Sequence, residues 1–194
     1  MTVVSAPERS RLAVLGSPIA HSKSPAIHQA AYRALGLDWH YSAIEIDETT
    51  LPAFVASLGE SDADGRRWRG LSLTMPLKRD VLTLLSSRTP LVDLVGGANT
   101  VVIGEDGRLH GLNTDVYGIT AALREHGVHT LERVLVLGSG ATAASVLAAV
   151  AELGAREVRI AARTPKNAEG LRPLADELGL SLVIAPIGDA IAAP

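Results

Sequence analysis

The chain contains no cysteine. A disulfide framework, a thiolate metal site and a cysteine nucleophile are therefore excluded. Aromatic residues make up only 3% of its 194 residues, with a single phenylalanine. The core must be built from Ala, Val, Leu and Ile. The six histidines show no close paired spacing of the zinc-protease kind, which argues against a histidine metal site. No apolar run is long and uninterrupted enough to span a bilayer. Residues 1–11 lack the apolar centre of a signal peptide, so a cytoplasmic protein is expected. A net charge of -3 gives no electrostatic case for nucleic acid as a partner. The one basic run, Arg66-Arg67-Trp68-Arg69, follows Ser61-Asp62-Ala63-Asp64-Gly65. It reads as a solvated loop.

What is present suits a folded protein of one or two domains. Apolar residues reach 47%, an ordinary share. Leu12–Leu15, ended by Gly16, reads as a buried strand. Ser24-Pro25 reads as an N-cap followed by proline at the first helical position. Ile27, Ala30, Ala31, Ala34 and Leu35 then fall on one helical face, and Gly36 can stop the helix. Strands are predicted at 41–46 and 71–74, a short helix at 51–58, and a helix from Pro76 toward Leu85. That alternation implies an α/β unit with a parallel sheet. Residues 98–103 and 108–112, joined by Gly104-Glu105-Asp106-Gly107, read as a hairpin. A helix over 116–126 follows.

A second α/β unit begins at Val134. Strands are predicted at 134–137, 158–162 and 182–185, with helices at 144–153 and 168–178. The fold class is thus α/β: a parallel or mixed substrate domain over 1–114, then a Rossmann-type dinucleotide-binding domain over 115–194 that is incomplete.

Several phrases carry chemistry. Gly138-Ser139-Gly140-Ala141-Thr142-Ala143 lies between a strand and a helix. Such a turn lets the backbone approach a pyrophosphate, and the helix start supplies amides. The next strand ends in Ala162-Arg163-Thr164-Pro165-Lys166, without the acid that an NAD site carries there. Arg163 can meet a 2′-phosphate, with Thr164 and Lys166 adding donors, so NADP is favoured over NAD. Ser22 and Ser24 stand between a strand end and a helix start. They either hold a carboxylate or serve only as loop and cap residues. Lys78 is expected in the first turn of a helix at the carboxyl end of a strand. A cation is misplaced beside that dipole end, which would suit a proton donor or acceptor; a solvated lysine is the plain alternative. Asp115 is either functional or a cap for the helix that follows, and Asn99 either functional or a turn residue.

These phrases together resemble the shikimate dehydrogenases, from about Leu12 to about Asp189. Gly16 to His28 matches the family's Gly-x-Pro-x-x-His-Ser-x-Ser-Pro-x-x-His. Thr74, Pro76 and Lys78 match Thr-x-Pro-x-Lys. Gly97-Ala98-Asn99-Thr100 is a compressed Gly-Ala-x-Asn-Thr, and Gly111 to Asp115 matches Gly-x-Asn-Thr-Asp. The resemblance implies that Ser22 and Ser24 hold the shikimate carboxylate. It implies that Ser72, Thr74, Lys78, Asn99 and Asp115 surround the ring, with Lys78 and Asp115 as the catalytic pair. The implied reaction is reversible NADPH-dependent reduction of 3-dehydroshikimate to shikimate, in the cytoplasm, by a monomer or homodimer. Ser72 departs from the family's Asn, Ala141 from a third glycine, and Ala162 from Asn. Family members also run beyond Pro194, so the resemblance implies a front portion. A quinate or quinate/shikimate dehydrogenase, or a fragment that holds shikimate and NADP without turnover, are the alternatives.

Overall fold

The computed structural model describes residues 9–192; most of the segment read for a signal peptide lies outside that range. In chain order the elements are β1 (Ser10–Gly16), α1 (Ser24–Leu35), β2 (Trp39–Glu45), α2 (Leu51–Ala56) and β3 (Arg67–Leu73). Then come β4 (Ser87–Arg88), α3 (Pro90–Val95), β5 (Thr100–Ile103), β6 (Leu109–Leu112) and α4 (Asp115–Glu125). The remainder is β7 (Arg133–Leu137), α5 (Ala141–Glu152), β8 (Glu157–Ala162), α6 (Arg172–Glu177), β9 (Ser181–Pro186) and α7 (Ile187–Ala192). The chain divides into two compact units. One holds the residues up to Val92 with Gly97–Leu112, the other Asp93–Gly96 with the residues from Asn113 on.

The first unit is built on a six-stranded mixed sheet in the order β2-β1-β3-β5-β6-β4. β1 runs parallel to both β2 and β3, and β5 is antiparallel to β3. Alternation along β1 divides two apolar cores. Ala13 and Leu15 join one with Leu71, Leu73, Leu77 and Val81. Val14 joins the other with Ile19, Tyr32 and Tyr41.

Several local expectations give way to tertiary packing. In α1 the predicted apolar face is the outer one: Ile27 is 65% and Leu35 70% exposed, and Ala30, Ala31 and Ala34 are exposed too. The helix turns Pro25, His28, Gln29 and Tyr32 inward instead, because the aromatic partner Tyr41 lies beneath it. The basic run is not a solvated loop. Arg67, Trp68 and Arg69 belong to β3, Trp68 is buried, and the Arg11 guanidinium covers its ring at 4.3 Å. A cation is thus accommodated at this strand pair by stacking on an apolar body. Gly36 does end α1, at φ 67°.

The second unit carries a three-stranded parallel sheet, β7-β8-β9. α5 buries Ala143, Ala144, Leu147, Ala148 and Val150, an Ala-rich surface that permits close approach. The helix expected over 168–178 is divided into a 3-10 turn, Pro165–Leu171, and α6. Pro173 accounts for the division, since it lacks an amide and favours the first turn of a new helix. Among the described residues no helix is long and apolar enough to cross a membrane.

Candidate active site

Three loops meet at the carboxyl ends of β1 and β3, the edge where open α/β sheets bind ligands. The Thr74 amide donates to the Leu15 carbonyl at 2.9 Å, and the Ser17 amide to the Met75 carbonyl at 3.1 Å. The Leu73 amide donates to the Asn99 carbonyl at 2.7 Å, and the Ala98 amide to the Lys78 carbonyl at 2.8 Å. Backbone bonds therefore bring together the segments of Ser17, Thr74, Lys78 and Asn99, which are far apart in sequence. Thr74, Lys78 and Asn99 are all half-buried.

Lys78 does not begin an α-helix. Residues 75–79 form turns, and the following Asp80–Leu84 is a short 3-10 segment. Leu77 and Val81, both fully buried, pin this stretch to the core, and the Val81 amide bonds the Leu77 carbonyl at 3.1 Å. The dipole of a helix starting at Pro76 therefore does not bear on Lys78. What distinguishes the residue is its place beside Ala98 and Asn99.

Ser24 is not the N-cap either. Lys23 occupies that position, Ser24 is the first helical residue, and no side chain caps the helix. The local bond runs the other way: the Ser24 amide donates to Ser22 Oγ at 3.3 Å. Both serines are half-buried. From Ser24 a connected path leads into the sheet. The His28 Nδ1–H donates to the Ser24 carbonyl at 2.9 Å. The His28 ring lies on Tyr41, with centroids 4.0 Å apart and planes 10° from parallel. The Gln29 side-chain amide donates to the Tyr41 carbonyl at 3.0 Å. The Tyr41 phenol donates to Ser72 Oγ at 2.7 Å. Burial pushes that phenol above its usual pKa.

In the second unit, Asp115 opens α4 but does not cap it. Thr114 is the cap position, with no side-chain cap bond; the Oδ1 of Asn113 before it accepts from the amides of Asp115 at 3.0 Å and Val116 at 3.4 Å. Asn113 Nδ2 reaches Ser145 Oγ of α5 at 3.4 Å. Gly138, at φ 106°, takes a conformation that favours glycine. A Cβ built on Gly138 or Gly140 would meet nothing within 4 Å, so this side of the loop is open. α5 starts directly at Ala141, three residues earlier than predicted, and no side chain caps it. A loop of this shape before a helix start fits a pyrophosphate. Arg163, Thr164 and Lys166 are not buried and follow β8.

The segment 14–101 matches the model of the shikimate dehydrogenase substrate binding domain. The structure is similar to that of a shikimate 5-dehydrogenase from Mycobacterium fortuitum: TM-score 0.80, 42% identity, 97% of this chain and 69% of that one. The chain belongs to the shikimate dehydrogenase family. Another member, from Thermus thermophilus in complex with NADP(H) and shikimate, is 38% identical, with a TM-score of 0.77 over 90% of this chain and 62% of that one. The shikimate dehydrogenase (NADP(+)) of Rubrobacter xylanophilus is 39% identical over 93% of this chain. This chain spans 62% of the length of that protein.

Sequence reasoning passed over Tyr41, His28 and Asn113 as site-building residues. A signal existed for the first. In a chain with three tyrosines, an inward strand position given to Tyr41 demands a partner for its hydroxyl.

Proposed function

We propose that this chain contains the substrate-binding half and the start of the nucleotide-binding half of an NADP-dependent shikimate dehydrogenase, divided near Thr114. The reaction is the reversible reduction of 3-dehydroshikimate to shikimate, in the biosynthesis of aromatic amino acids. The observation that carries this reading is the 38% identity, over 90% of this chain, to the Thermus thermophilus enzyme in complex with NADP(H) and shikimate.

Ser22 and Ser24 receive the substrate carboxylate, as two hydroxyls at one loop can. Ser72, Thr74 and Asn99 orient the ring hydroxyls. Lys78 delivers a proton to the carbonyl oxygen in reduction and takes it from the hydroxyl in oxidation. Asp115 holds and polarises the same group. Gly138, Ser139, Gly140, Ala141 and Thr142 would cradle the cofactor pyrophosphate, and Arg163, Thr164 and Lys166 would meet the 2′-phosphate. NADPH, when bound, supplies the hydride.

The test is NADPH oxidation with 3-dehydroshikimate, with NADH and quinate plus NAD as controls. Turnover with the first pair and little with the others is expected. Turnover with quinate and NAD alone would overturn the substrate assignment. The alternative is a polypeptide that holds shikimate without turnover. Saturable shikimate binding without NADPH oxidation is the result that selects it.

A further inference from the structure

Tyr41 is almost wholly buried, yet its phenol does not serve the core alone. The residue stands on β2, and its bonding partner Ser72 stands on β3. β1 lies between those strands, so the ring crosses β1 to reach Ser72. In register Tyr41 pairs with Leu12, whereas Ser72 pairs with Val14. His28 closes over the ring from α1, and Gln29 fixes the Tyr41 backbone. The ring is held by its neighbours, and its hydroxyl is aimed at one oxygen.

A hydroxyl that accepts a hydrogen bond must send its own proton elsewhere. We propose that Tyr41 is a positioning residue which, by donating to Ser72 Oγ, turns the Ser72 proton toward the substrate. Ser72 then acts as a donor to an oxygen of a hydroxylated carboxylic acid. Ser72 is half-buried, which leaves it a route to a ligand. It also pairs in register with Thr100, the neighbour of Asn99. The same path of contacts runs back through His28 to the Ser22–Ser24 loop, so the two ends of the substrate are held by one packed unit. This inference rests on the functional reading above.

The experiment is a double-mutant cycle on the active enzyme with Tyr41→Phe and Ser72→Ala. Tyr41→Phe keeps the ring on His28 and removes the donor. It should raise KM for shikimate about threefold to tenfold, the size of one neutral hydrogen bond. The kcat and the KM for NADP should stay within about twofold, because the interaction is uniform binding. Ser72→Ala should do the same, and the double variant should be no worse than Ser72→Ala alone. Additive losses, or a wild-type KM in Tyr41→Phe, would overturn the proposal. Should Tyr41→Phe fail to fold, a wild-type KM in Ser72→Ala overturns it equally. A wild type that neither turns over nor binds shikimate is a different result, and it removes the functional reading as well.

Discussion

Thr74 stands in the space where a side chain on Gly16 would be. A Cβ built on Gly16 would lie 2.5 Å from Thr74 Cγ2 and 2.9 Å from the Met75 carbonyl oxygen. The glycine is required by close approach, since its φ is ordinary. Gly16→Ala should therefore lower stability by about 1–3 kcal/mol, the usual range for overpacking. It should also displace the Thr74 loop. Urea unfolding measures the first effect, and KM for shikimate the second. A variant as stable as the wild type would show that the loop yields freely.

Asp47 is expected to give the chain a specific acid sensitivity. Its Oδ1 accepts from the Thr49 hydroxyl at 2.7 Å, the Thr50 amide at 2.9 Å and the Thr50 hydroxyl at 2.8 Å. These bonds, the Thr49 hydroxyl first, hold its carboxyl at about 2 against a usual 3.8. A depressed folded value means stabilisation that is complete above 3.8 and is lost as pH falls through about 2. Denaturant midpoints of wild type and Asp47→Ala should differ above about pH 4 and converge toward about pH 2. A gap of constant width across that range would exclude the carboxylate as its source.

Lys78→Ala should lower kcat by about 10²–10⁴, the range for losing a positioned acid or base. Shikimate binding should change far less. Asp115→Asn should also reduce kcat, since the shape is kept and the charge removed. These rates need an enzyme that is active in the NADPH assay. Near-normal kcat with weakened affinity in Lys78→Ala would make the lysine a substrate clamp.

Arg163→Ala should cost roughly 1.5–3 kcal/mol in NADP affinity and little in NAD affinity, as for a hydrogen bond to a charged group. Titration of both cofactors into both proteins decides it. Equal losses would separate Arg163 from the 2′-phosphate.

The strands were legible because runs such as Leu12–Leu15, Val134–Leu137 and Val158–Ala162 are bounded by turn residues and almost wholly apolar. The helices were less so. Around α1 two stripes compete, and the Ala-rich one, Ile27 to Leu35, has the stronger hydrophobic pattern. The stripe through His28 and Tyr32 prevails because aromatic rings bury more surface than alanine methyls. The Arg66–Arg69 run reads as solvent-facing by charge, and only the neighbouring Arg11 reveals why Trp68 can enter a strand there. The loops around Thr74 and Lys78 were legible as motifs, but not as turns. Their geometry depends on backbone partners at Leu15 and Ala98, which no local pattern encodes. The role of Asn113 in bonding the first amides of α4 was hidden by Asp115, an equally good capping residue type.

The Asn113 side chain bonds the start of α4 through one atom and Ser145 of α5 through another. Asp115 and the glycine loop that precedes α5 are thereby mounted on a common bracket. Ser22, Ser24, Thr74 and Lys78 belong to the other compact unit. A carboxylate fastened in this way keeps its spacing to the glycine loop through any displacement that leaves α4 and α5 intact. Its alignment is fixed within the second unit. Cutting the bracket with Asn113→Ala would let the two helix starts drift independently, while the serine loop stayed as it was.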